Sequence, residues 1–132
     1  MQRNLIRLAA LAFITFFIML VCIADRGEGD QWWAFIGSIP YGDKFGHLGL
    51  TSTLALLCNL AIPPRPGTRL TRIFTLVTLV LLVVLSLEEL SQAFIPARTC
   101  DFFDWLADLA GLSLGQFTAS ILRRRFLSWR RA

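Results

Sequence analysis

The stretch EELSQAFIPARTCDFFDWLAD, residues 88–108, places five carboxylates and one arginine between two long apolar runs. Before it lies LVTLVLLVVLSL and after it LAGLSLGQFTASIL, neither of which holds a single charge. A soluble core would not flank its most acidic loop with such runs. The pattern reads instead as two membrane-crossing helices joined by a short polar link. Pro96 marks the link, because proline cannot continue a helical hydrogen-bond ladder.

Two further runs fit the same reading. The expected spans are 5–24, 45–62, 71–95 and 102–122. A hydrocarbon core of about 30 Å needs around 20 helical residues. Pro63, Pro64 and Pro66 close the second run. The whole chain has 132 residues, 55% hydrophobic and 17% charged, with mean hydropathy +0.61. Soluble domains carry roughly 25% charged residues. The expected fold is therefore an all-α integral membrane protein, a single four-transmembrane-helix bundle over 1–132. The first run has a positive start at Arg3 and Arg7 but no A-x-A cleavage pattern after it, so a retained helix is expected.

Charge sets the orientation. With four spans, both ends and the 63–72 loop share a side that carries ten arginines, from Arg3 to Arg131, and no acid. The other side holds all nine Asp and Glu, with Arg26, Lys44 and Arg98. The positive-inside rule puts both termini in the cytoplasm and the acids at the outer face. The basic residues flank apolar segments rather than forming a patch, so no nucleic-acid role is expected. Cys22, Cys58 and Cys100 have no paired spacing, which gives neither a disulfide framework nor a CxxC metal site.

Four polar groups converge on the acidic side. Asp43, Lys44 and His47 open the second span, with Thr51 continuing the His47 face. Glu88, Glu89 and Gln92 close the third. Arg98 sits in the link. Asp101, Asp104 and Asp108 enter the fourth, on a stripe that continues to Gly111 and Gly115. That GxxxG pair permits close helix approach, so the stripe should face the bundle. Ionisable side chains at membrane depth are functional candidates by default.

Simpler roles apply to other residues. Asp101 is a natural N-cap for the fourth helix. Asp25, Glu28 and Asp30 read as a solvated loop; Trp32, Trp33 and Trp105 as interface anchors. Cys58 and Asn59 read as packing or hydrogen-bonding groups between helices.

The motifs DKFGH (43–47) and EELSQAFIPARTCDFFDWLADLAGLSLG (88–115) resemble the VanZ-like family of small bacterial membrane proteins. That family's pattern runs D-K-x-x-H, E-x-x-Q, a P-x-R link, then D-x-x-D-x-x-x-N-x-x-G-x-x-x-G. Here it falls on Asp43, Lys44, His47, Glu89, Gln92, Pro96, Arg98, Asp101, Asp104, Gly111 and Gly115. Asp108 departs from it, standing where the family has Asn. The resemblance covers roughly residues 41–118. It implies a protein of the bacterial inner membrane and cell envelope, linked to teicoplanin response and antibiotic resistance, and it implies no particular reaction.

Three functions compete. In the first, the outer site binds or processes an envelope component such as a lipid-linked cell-wall precursor. Arg98 and Lys44 would hold phosphate, with Asp43, Gln92, Asp101 and Asp108 completing the site. Glu89, His47 and Asp104 would be the catalytic groups, since burial tunes such groups toward neutral pH. Six carboxylates against two cations leave a charge of −4 at the site, which a divalent cation would relieve. Asp101, Asp104 and Glu89 are its expected oxygen ligands. In the second, the cations pair with the acids and tie the helices together in a structural or interaction subunit with membrane partners. The third, a proton path, lacks a relay in the cytoplasmic half.

Overall fold

In a computed structural model of the chain, residues 2–28, 34–35, 38–62 and 74–128 are described. Among them the chain is all-helical, with no strand. The four long helices are α1 (Gln2–Asp25), α2 (Gly42–Ala61), α3 (Leu76–Gln92) and α4 (Phe102–Ser128). Trp32, Trp33, Asp30 and the 63–73 loop lie outside the described residues.

The helix ends follow local chemistry and differ from the expected bounds. α2 begins at Gly42, three residues earlier than expected, so Asp43 and Lys44 fall in its first turn. Its entry residue Tyr41 is left-handed, φ 60°, a conformation unusual for a bulky side chain. α2 ends at Ala61, and the following Ile62 is extended (φ −116°, ψ 110°) as expected for a residue that precedes a proline.

α3 is shorter than the expected 71–95. Thr75 is extended and its hydroxyl accepts from the Thr78 N–H, so the helix begins at Leu76. At the far end, Phe94 and Ile95 donate to the carbonyls of Ser91 and Gln92, three residues back, at 3.0 Å each. Such tightened bonds close the last turn before Pro96. Asp101 caps α4 through its Oδ1, which accepts from the Phe103 N–H at 2.9 Å. α4 then runs six residues past the expected end at 122.

α2 and α4 form the most extensive helix pair; α1 packs on α2, and α3 on both α4 and α2. The reason for the close pair is glycine. A Cβ on Gly111 would collide with Thr51 Oγ1 and the Leu48 carbonyl, and one on Gly115 with the Ser52 carbonyl and Ala55. Gly111 and Gly115 thus let the α4 backbone lie directly on α2. Ala55, Leu85 and Leu112 form the core between α2, α3 and α4, with Phe17 of α1 packed against it.

The distribution of polarity is unusual. Among the described residues, seven of the buried ones are polar or charged, as many as are apolar, while 24 large hydrophobics are exposed. Much of the apolar surface therefore faces outward while Glu89, Gln92, Asp104 and Asp108 are enclosed. By length and composition one helix, Arg3–Asp25, is apolar enough to cross a membrane, with mean hydropathy 2.6.

Candidate functional site

The four helices bring their acidic ends together. Asp25 at the end of α1 lies 3.6 Å from Arg98, and Arg98 lies 3.7 Å from Glu88 at the end of α3. Lys44 at the start of α2 meets Asp101 and Asp104 at the start of α4. Ion pairs thus join α1 to α3 through the link and α2 to α4, and hydrogen bonds of Gln92 to Glu88 and Glu89 and of the Asp101 N–H to Glu89 connect the two sets at one end. Asp25, read from sequence as a loop acid, belongs to this network; its position as the last residue of an apolar helix was the available signal.

Lys44 is the hub. Its Nζ lies 2.7 Å from Asp43 Oδ2, 2.6 Å from Asp101 Oδ2 and 2.8 Å from Asp104 Oδ1. The Asp104 contact joins charges without hydrogen-bond alignment. Asp43, Lys44 and Asp101 flank the apolar segments. Hydrogen bonding to Lys44 holds the Asp43 and Asp101 carboxyls below the usual carboxylate range. Burial opposes the charge on Lys44, yet the facing carboxylates of Asp101, Asp104 and Asp43 outweigh it and raise its pKa. Lys44 and Arg98, expected to receive phosphate, are both engaged by carboxylates.

A second node lies deeper. His47 Nδ1 is 3.0 Å from Asp108 Oδ1, joining α2 to α4. The side chain of Glu89, from α3, completes a triad: one ligand-grade atom each of His47, Glu89 and Asp108 lies within 4.8 Å of the others. Glu89 is only 4% exposed and Asp108 2%. Glu89 is held from behind. Its Oε1 accepts from the Asp101 N–H at 2.8 Å and its Oε2 from Gln92 Nε2 at 3.1 Å. Gln92 also donates to both Glu88 oxygens at 3.1 Å. Thr51, one turn beyond His47, donates to the His47 carbonyl at 2.7 Å and reaches the Asp108 carbonyl at 3.4 Å.

This geometry revises the expected cation ligands. Asp101 and Asp104 point at the Lys44 ammonium, which already supplies their positive charge. The set of three that converges is His47, Glu89 and Asp108, with Glu89 alone shared between the two. Trp105, expected as an anchor, also ties α3 to α4, its indole N–H donating to Ser86 Oγ at 2.8 Å.

The opposite end holds a separate polar cluster that the sequence reading reached only through Asn59. Asn59 Nδ2 donates to Ala55 O at 2.8 Å and Thr78 Oγ1 at 2.9 Å, while Thr75 Oγ1 donates to Asn59 Oδ1. The Thr75 N–H donates to Gln116 Oε1 at 2.8 Å. This set is fully hydrogen-bonded and joins α2, α3 and α4. Cys22 and Cys100 are free and exposed, and Cys58 is free and buried.

No family model, curated protein or solved structure matches the chain.

Proposed function

We propose that this chain is a four-span protein of the bacterial inner membrane, VanZ-like in its motifs, with both termini in the cytoplasm. Its polar site at the outer face binds a polar group of a cell-envelope component such as a lipid-linked cell-wall precursor. The inside-out distribution of polarity supports membrane insertion, because lipid solvates exposed Leu, Val and Phe while polar groups are satisfied within the bundle. α3 covers 17 residues, about 26 Å. The tightened turn to Ile95 supplies the remaining depth.

The observation that carries the functional reading is the burial of Glu89 and Asp108 beside His47 at the end where all four helices meet. Buried acids without a fixed cation partner are costly to a bundle, and such groups mark sites. The residues divide by role. Lys44, Arg98, Asp43, Asp101 and Asp104 build the frame. His47, Glu89 and Asp108 face one another and supply the chemistry of recognition.

The test is lipid mass spectrometry of the purified protein, with Glu89→Gln as the comparison. Enrichment of a lipid-linked precursor over bulk phospholipid, lost in Glu89→Gln at unchanged melting temperature, is expected. No enrichment in the parent overturns the reading. A second reading, a structural or interaction subunit, is favoured by the three carboxylates around Lys44. It predicts that substitutions at both nodes change melting temperature and copurifying lipid stays unchanged.

A further inference from the structure

We propose that His47, Glu89 and Asp108 form a divalent transition-metal site, with zinc the cation of best fit, one imidazole and two carboxylates contributing from three different helices. The proposal stands on the coordinates of these side chains and holds whether or not the envelope ligand is a cell-wall precursor.

Three features point to a cation. The first is convergence: the three ligand-grade atoms lie within 4.8 Å of one another. Zinc bonds of about 2.0–2.2 Å to nitrogen and oxygen need ligand atoms roughly 3–4 Å apart, so a small inward movement brings all three to bonding distance and leaves the fourth position to water or a ligand. The second is charge. Among the described residues, Glu89 has no ion pair and Asp108 pairs only with His47, which is charged only when protonated. The Lys44 ammonium is already surrounded by three other carboxylates. A divalent ion would neutralise Glu89 and Asp108 together, where His47 alone supplies at most one charge.

The third feature is a supporting shell. Metal-binding carboxylates and imidazoles are oriented by outer hydrogen bonds. Glu89 is gripped by Gln92 Nε2 and the Asp101 N–H, on either oxygen. The separation of His47 from Asp108 is set by backbone contact between α2 and α4 at Gly111. The ligands therefore sit on rigid elements, as a binding site needs. The mixed donor set selects the class: imidazole suits zinc and its neighbours, whereas magnesium and calcium favour oxygen alone.

The experiment uses the 132-residue chain in detergent, with Cys22, Cys58 and Cys100 changed to Ser or Ala so that no thiolate can bind the probe. Zinc content after dialysis is read by elemental analysis, and the site is reported separately by the visible spectrum of added Co²⁺. One zinc per chain is expected, with a Co²⁺ spectrum of nitrogen and oxygen ligation that zinc abolishes. Asp108→Asn, Glu89→Gln and His47→Ala should each lose that spectrum. Gln92→Ala, which touches no metal, should weaken zinc affinity about 10–100-fold with the spectrum retained, as a positioning residue does. Absence of stoichiometric zinc in the folded parent overturns the proposal even if a variant fails to fold. Binding that survives all three ligand substitutions overturns it too. A parent that enriches the lipid but holds no zinc overturns this proposal alone, and a parent that binds zinc but enriches no lipid overturns only the proposed function, so the two ideas fail separately.

Discussion

At the scale of residues, glycine and lysine make opposite demands on the α2–α4 contact. Gly111 and Gly115 face backbone carbonyls of α2, which cannot rotate aside as a flexible side chain can. Gly111→Ala should lower stability by about 1–3 kcal/mol, the usual cost of overpacking, measured as a fall in melting temperature in detergent. Gly46 and Gly49 have nothing within 4 Å of an added Cβ. Gly49→Ala should be neutral or raise stability by about 0.5–1 kcal/mol, because alanine orders a helix at less entropic cost. The opposite ranking would mean that the stripe does not face α2. Lys44→Met strips Asp104, 8% exposed, of its only ion pair among the described residues and should cost roughly 3 kcal/mol at neutral pH. Adding Asp104→Asn should recover part of that loss. The pairing also sets a pH dependence. Lys44 lowers the folded pKa of Asp43 and Asp101 below the ordinary 3.8, so their contribution is full above that value. It is lost as pH falls through the lowered values. Melting temperature should hold from pH 7 to about pH 5 and drop below about pH 4, more steeply in the parent than in Lys44→Met. The glycines were legible in sequence, because spacing alone placed them on one stripe with the acids. The partner of each acid was not, since Asp101, Asp104 and Asp108 share spacing yet divide between Lys44 and His47.

At the scale of elements, the helices were legible and their ends only partly so. Apolar length and prolines located α1, α2 and the start of α4 within three residues, while α4 continues six residues beyond its apolar run into the basic stretch at Arg123 to Arg125. The start of α3 was misplaced because Thr75 and Thr78 lie inside a continuous apolar run, and hydropathy does not separate a capping threonine from its surroundings. In the structure Thr75 serves three elements. It caps α3 at Thr78 and hydrogen-bonds Asn59 of α2, while its backbone N–H meets Gln116 of α4. Thr75→Ala should therefore cost more than an isolated cap, whose loss is about 1 kcal/mol, because Asn59 keeps a buried amide oxygen with a lost donor. Thr75→Ser keeps the hydroxyl and should retain most of the stability. Equal melting temperatures for the parent and Thr75→Ala would show that the cap and the cluster contribute nothing at this end.

At the scale of the whole molecule, the two ends differ in kind. Every ion pair between described residues lies at the end where Asp25, Lys44, Glu88 and Asp101 meet. The other end carries Arg3, Arg7 and Arg124 without an acid in the sequence around them, and Arg123 donates to the Ile62 carbonyl at 3.1 Å. A net-acidic knot at one end and a basic stretch at the other give the chain a polarity on which the positive-inside rule acts. Arginine resists crossing, so the basic end should remain cytoplasmic. Glu28 and Arg124 are exposed near opposite ends and report the orientation directly. In a cysteine-free background, a membrane-impermeant thiol reagent applied to intact cells should label Glu28→Cys at once. Arg124→Cys should react only after the membrane is opened. Labelling of both positions from outside would show that the chain does not cross as a four-helix unit. Labelling of Arg124→Cys alone would turn the acidic end inward, and the site at His47, Glu89 and Asp108 would then take its ligand from the cytoplasm rather than from the envelope.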